Sequence, residues 1–284
     1  MLHDVAGHNI WVVEKGEADT ARLFIHCSLA HHETLMPLAA KLSPASDVFF
    51  DLPGHGRSAA WAGTDYHSDA TAIAAALLRG PAHIIGHSFG ATVALRLAAE
   101  RPDLVSRVTL IEPVMFAATI GTAAHAAHQV ATEPFVAALD VNDRTAATQI
   151  FLDMWGNGRA WGDLSDRKRA TLTAQINLIP AAASTIEHDI HGVLERLGDI
   201  TCPVDLIEGG DSQAIMPAIM SGLAELTPRA HRHIIAGAGH MVPLTHVDEV
   251  ASVIKGREKR IHTVKANGPI AHQTAHHSFV VVPV

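Results

Sequence analysis

A serine hydroxyl attacks a carbonyl only when a base takes its proton, and that base works best when a carboxylate orients it. Three stretches of this chain could supply such a set. Gly86-His87-Ser88-Phe89-Gly90 is a G-x-S-x-G pentapeptide with Ser88 at its centre. Gly237-Ala238-Gly239-His240-Met241-Val242-Pro243 places a histidine just after a glycine turn. Two carboxylates compete for the third role, Glu112 before Pro113 and Asp211 in Gly209-Gly210-Asp211-Ser212. The chemistry they imply is acyl cleavage through a covalent intermediate.

The flanks of Ser88 decide whether the pentapeptide is a chance pattern. Ahead of it, Pro81-Ala82-His83-Ile84-Ile85 reads as a buried strand. Behind it, Ala91 to Glu100 is rich in Ala and Leu and reads as a helix. Strand, tight turn and helix form a nucleophile elbow, and the Phe89 N–H at the helix start can face a developing oxyanion. Further strands are expected at Leu23–Ser28, Val48–Asp51, Val108–Glu112, Val204–Gly209 and Arg232–Ala236. Their alternation with helices predicts an α/β protein with a doubly wound, mostly parallel sheet.

The chain resembles the α/β-hydrolase fold family. The resemblance rests on His26-Cys27-Ser28, Asp51-Leu52-Pro53-Gly54-His55-Gly56-Arg57-Ser58, the elbow and Gly237-Ala238-Gly239-His240, all in family order across residues 10–255. It implies the fold, with a helical cap inserted after the strand that carries Glu112. It implies Ser88 as nucleophile, His240 as base, and an oxyanion hole from the N–H groups of Phe89 and Ser28. Cys27 stands where the family usually has glycine. The acid stays open. Most members carry it after the penultimate strand, where Asp211 falls one residue early and Ser212 fills the slot. Some carry it at the end of the strand after the elbow helix, and there Glu112 is the favoured choice. Asp51 reads as a brace for its turn. His87, Leu29, Met154, Trp155, Trp161 and Met241 are expected to line the substrate pocket.

Serine at the elbow argues against dehalogenase and epoxide-hydrolase chemistry, which needs a carboxylate nucleophile. The expected activity is that of a serine hydrolase on a small ester, lactone or related carbonyl compound. The alternatives are an acyltransferase or a non-catalytic ligand-binding protein of the same fold.

Composition narrows the classes further. The net charge of −8 gives no basic footprint for nucleic acid. No apolar run is long enough for a membrane span. Met1-Leu2-His3-Asp4 lacks the marks of a secretory signal, and the two cysteines suggest reduced thiols rather than a disulfide framework. A cytoplasmic protein is expected, without cofactor or resident metal, acting on a small molecule as a monomer or homodimer. His125/His128 and His188/His191 have one-face helical spacing, yet neither pair has an identifiable third ligand.

The expected organisation is a core domain over residues 1–112 and 201–255 with a helical cap over 113–200. Cap helices are expected near Thr132–Leu139, Asp143–Met154 and Ser165–Ile179. Residues 256–284 form a tail with no counterpart in the family and no evident role.

Overall fold

The structure is a computed structural model that describes residues 1–266 and 280–282. Among the described residues nine strands form one sheet: β1 (Leu2–Val5), β2 (His8–Lys15), β3 (Ala21–Ile25), β4 (Ser46–Phe50), β5 (Ala82–His87), β6 (Val105–Ile111), β7 (Val204–Gly209), β8 (Ala230–Ile235) and β9 (Val280–Val282). Their spatial order is β1-β2-β4-β3-β5-β6-β7-β8-β9. The β1/β2 and β2/β4 pairs are antiparallel, and every other pair is parallel.

The central strands read as near-continuous apolar runs because both faces are covered. Side chains alternate between the faces as the strand pleat requires. Leu23, Ile25, Ile84, Val108, Leu110, Val204 and Leu206 join one core. Phe24, Ile85, Ile111 and Ile207 join the other. Helices α1 (Met36–Lys41), α2 (Tyr66–Ala76) and α3 (Phe89–Glu100) come from the first half of the chain. The first core includes α2 and α3, and the second includes α1. Each fully buried Leu, Ile, Val or Phe contributes about 1.5–3 kcal/mol to the fold.

Between β6 and β7 the chain leaves the sheet. Residues 113–200 contain five α-helices and no strand: α4 (Ala123–Asp140), α5 (Arg144–Trp155), α6 (Asp166–Gln175), α7 (Leu178–Ala181) and α8 (Ala183–His188). The α4 helix begins well before the expected Thr132, since the Thr122 hydroxyl caps it by accepting from His125 N at 3.1 Å. The single helix expected over Ser165–Ile179 is two. Pro180 has no N–H to give the Ile176 carbonyl, so the ladder stops. A small core of Leu29, Ala138, Ala147, Leu172 and Ile176 joins this insertion to the loop after β3.

The chain then returns to β7, α9 (Met216–Leu226), β8, α10 (Val242–Thr245) and α11 (Val247–Ala266). The α9 helix packs into the first core, and α10 and α11 into the second. The segment read as a tail therefore begins inside α11, and β9 pairs with β8 in parallel. Its other residues, 267–279 and 283–284, lie outside the described residues. Among the described residues, no helix is long and apolar enough to cross a membrane.

Many of the buried polar groups are histidines. Burial lowers His26, His67 and His87 to about 3 and His55 to about 4, and it holds His83 well below its ordinary value. These rings stay neutral in the folded protein while the unfolded chain takes up protons below about pH 6.5. The unfolded state then binds more protons, so stability falls as the pH drops. Urea unfolding at a series of pH values should show a midpoint that falls steadily as the pH drops from about 6.5 toward about 4. A midpoint constant over that window would contradict neutral burial.

Candidate active site

Ser88 stands between β5 and α3 with φ +54° and ψ −117°. That backbone costs about 1–3 kcal/mol for a non-glycine residue and persists only where packing enforces it. Both flanking glycines are required. A Cβ on Gly86 would lie 2.2 Å from the Gly90 carbonyl oxygen, and one on Gly90 would lie 2.2 Å from the Ile25 carbonyl oxygen. The Ser88 N–H donates to the Ile111 carbonyl at 2.8 Å, tying the elbow to the end of β6.

His240 lies on the turn between β8 and α10, 5% exposed. Its Nε2 is 2.9 Å from Ser88 Oγ. Its Nδ1 is 3.0 Å from Glu112 Oε2. Glu112 directly follows β6, is fully buried and has φ +53°. It also accepts from Gly209 N at 2.7 Å through Oε1 and from Ser212 Oγ at 2.5 Å through Oε2. Ser212, which fills the slot where the family usually has its acid, thus donates to the carboxylate that reaches His240. Asp211 is exposed and makes no bond to His240, so of the two candidate acids only Glu112 reaches His240. The reason is local geometry. The Asp211 N–H is drawn to the Ala238 carbonyl at 2.8 Å, and its side chain is left in solvent.

The loop after β3 carries Ser28, and the helix start carries Phe89. Both residues border the same cavity as Ser88. Two buried histidines, one on this loop and one on the loop after β4, tie the two loops together. The Leu52 N–H donates to His26 Nε2 at 3.0 Å, and the Leu29 N–H donates to His55 Nε2 at 3.0 Å. Their Nδ1–H groups donate to the carbonyls of Cys27 at 2.7 Å and Pro53 at 3.0 Å. Both rings must be neutral to accept, and burial keeps them so. Leu29 itself has φ +60°, another left-handed residue at the site. Asp51 accepts from His32 N, His32 Nδ1 and Arg57 N at 2.7–2.8 Å, so it braces these loops away from the reacting atoms. Burial pushes the Cys27 thiol up to about 12, which leaves it protonated and unreactive.

Two cavities meet at Ser88. The larger, about 700 Å³, is walled by the insertion, including Val114 and Phe116, and by Phe89. The smaller, about 230 Å³, is bordered by Leu29, Lys168, His240 and Met241. Ser28, Ser88, Phe151 and Trp155 border both. The Trp155 ring stands edge-on to His240 with centroids 4.7 Å apart. The Met154 carbonyl accepts from the Gln213 amide, which fastens the end of α5 to the loop after β7.

Of the residues expected at the pocket, Met154 and Trp155 border the larger cavity, and Trp155, Leu29 and Met241 the smaller. His87 and Trp161 border neither. The His87 ring lies behind His240 and donates from Nε2 to the His240 carbonyl at 2.9 Å, because the elbow turn directs it beneath that residue. Trp161 is turned toward Arg169 on α6, whose guanidinium lies 6.0 Å from its ring centroid. Sequence reasoning did not single out Phe151, Lys168 or Glu187 at the site. No local pattern marks them, since each becomes relevant only through contacts remote in sequence.

The histidine pairs serve other purposes. His128 stacks on Phe116 at 4.4 Å and borders the larger cavity. His125 meets the Thr119 hydroxyl at 3.0 Å, and His191 pairs with Asp65 at 2.9 Å. Among the described residues, no group of three or more His, Cys, Asp or Glu side chains is placed to hold a metal. Cys27 and Cys202 are both free and buried.

Comparisons with known proteins agree with this architecture. A model described as the alpha/beta hydrolase family matches residues 23–253. A pimeloyl-[acyl-carrier protein] methyl ester esterase of Methylococcus capsulatus is 30% identical over 215 residues, 72% of this chain and 80% of that protein. Lipase LipV of Mycobacterium tuberculosis is 41% identical over 90 residues, so the match spans only 31% of either protein. The crystal structure of an enol-lactonase from Burkholderia xenovorans LB400 superposes with a TM-score of 0.70 at 21% identity, covering 91% of this chain and 100% of that one. With the family match extending over most of its length and its fold shared with that structure, the chain belongs to the alpha/beta hydrolase family of enzymes.

Proposed function

We propose that this enzyme is a serine hydrolase that cleaves an ester, lactone or related carbonyl substrate through an acyl-enzyme. The observation that carries the reading is the unbroken relay from Ser88 Oγ to His240 at 2.9 Å and from His240 to Glu112 at 3.0 Å. Each link has a role. Glu112 fixes the His240 tautomer with its proton on Nδ1, which leaves Nε2 free to accept the serine proton. Attack by Ser88 Oγ on the carbonyl carbon makes a tetrahedral oxyanion, with the N–H groups of Phe89 and Ser28 as its donors. The imidazolium returns the proton to the leaving group, which departs. Water then repeats the sequence and frees the acid.

The esterase and lipase names of two relatives support an ester substrate. The helical insertion over residues 113–200 serves as the cap of this reading, since it walls the cavity above Ser88. That cavity is largely apolar, which suits an acyl chain or a small hydrophobic ring.

Two experiments test the assignment. Ser88→Ala should leave the fold intact, abolish labelling by a fluorophosphonate probe and hold esterase activity below about one hundredth of the wild-type value. Labelling that survives the substitution would place the nucleophile elsewhere. Glu112→Gln and Asp211→Asn separate the two carboxylates on one substrate. The first should lower kcat by about 10²–10⁴-fold, as the amide cannot hold the tautomer or balance the imidazolium. The second should stay close to wild type, and the reverse ranking would overturn the choice of Glu112.

A further inference from the structure

The two cavities differ in what they offer a substrate. Phe89, an oxyanion donor in the proposed mechanism, borders only the larger one. His240, which would protonate the leaving group, borders only the smaller one. A leaving group must depart on the side of the acid that protonates it. The acyl part then occupies the larger cavity and the leaving group the smaller.

Charge follows the same division. Among the described residues, the larger cavity is bordered by Glu133, Asp140 and Glu187 and by no lysine or arginine. The smaller is bordered by Arg159 and Lys168 and by no aspartate or glutamate. Nor does Lys168 Nζ have a hydrogen-bond or ion-pair partner among those residues. Its charge reaches the loops after β3 and β4, since beside burial it helps to lower His31 and His55. Burial of the ammonium lowers Lys168 itself. The Arg159 guanidinium donates to the Asp163 carbonyl at 2.8 Å, which leaves its positive charge unopposed by a carboxylate. An anion in the smaller cavity meets unopposed positive charge, whereas the larger one offers it no lysine or arginine and holds Glu187, which burial raises to about 7.

We propose that the enzyme selects esters with a bulky acyl group free of negative charge and a small leaving group that carries a carboxylate or phosphate, with Lys168 as the residue that sets this preference. The proposal rests on the serine hydrolase reading above. It makes Lys168 a specificity residue that contacts substrate, outside the relay of Ser88, His240 and Glu112.

Three octanoyl esters test it, with 4-hydroxybenzoate, 4-hydroxybenzamide and 4-hydroxybenzamidine as leaving groups. Their shapes match while their charge runs from negative through neutral to positive. Each kcat/KM is divided by the rate of hydroxide-catalysed hydrolysis, which removes differences in leaving-group acidity. At low ionic strength the benzoate ester should exceed the benzamide ester by about three- to tenfold, with the benzamidine ester slowest. Lys168→Met should collapse that ratio toward unity, and Lys168→Arg should retain most of it. A thermal melt of Lys168→Met verifies that the variant is folded. Equal rates in the wild type, or a ratio that survives Lys168→Met, would overturn the proposal. An inverted order would put the leaving group in the larger cavity and overturn it as well. Failure of the hydrolase reading looks different: no ester would turn over, or turnover would persist in Ser88→Ala.

Discussion

A carboxylate removed from water has to find donors, and Glu112 finds three. Gly209 N, Ser212 Oγ and His240 Nδ1 all reach it, and the carboxylate is fully buried. Losing any one of them would leave a buried charge short of compensation, a cost of about 1–3 kcal/mol or more. These bonds draw the C-terminal ends of β6 and β7 and the turn after β8 to one point. The Glu112 N–H adds a bond to the Ile207 carbonyl at 2.8 Å. The position of His240, and with it the approach to Ser88, follows from satisfying this one side chain.

The other half of the site is held by neutral histidines together with the Asp51 carboxylate. His26 and His55 accept backbone N–H groups across the loops after β3 and β4, and Asp51 gathers His32 and Arg57 beside them. A protonated ring could not accept those bonds, so the loop with Ser28 is built for conditions in which the rings stay neutral. Three non-glycine residues with positive φ meet here: Leu29, Ser88 and Glu112. Strain concentrated at such positions is held in place by the surrounding sheet, which aims the hydroxyl, the carboxylate and the loop at one another.

Local patterns in the sequence made much of this legible. The elbow is readable because its strand, glycines and helix are contiguous, and the parallel sheet because its strands are short and apolar. The choice between Glu112 and Asp211 was not decidable in that way. It depends on which carboxylate faces a histidine far along the chain, and on the Asp211 backbone being drawn to Ala238. His87 looked like a pocket residue from its place in the elbow, yet the turn directs its ring beneath His240. Trp161 carried the aromatic character of a pocket wall but packs against Arg169. The division of charge between the cavities had no sequence signature. Glu187 and Lys168 lie on different helices of the insertion, and only folding puts them on opposite sides of Ser88.

The central claim is that Ser88, His240 and Glu112 act as one relay, with the developing oxyanion held by Phe89 and Ser28. A crystal structure of the enzyme inactivated by an alkyl p-nitrophenyl phosphonate tests it most directly, because the phosphorus centre mimics the tetrahedral intermediate. The account predicts a covalent bond from phosphorus to Ser88 Oγ and a phosphoryl oxygen about 2.7–3.1 Å from the backbone nitrogens of Phe89 and Ser28. It also predicts that His240 remains bonded to Glu112 in the adduct. Phosphorus on another residue, a phosphoryl oxygen turned away from both N–H groups, or His240 rotated onto Asp211 would contradict it.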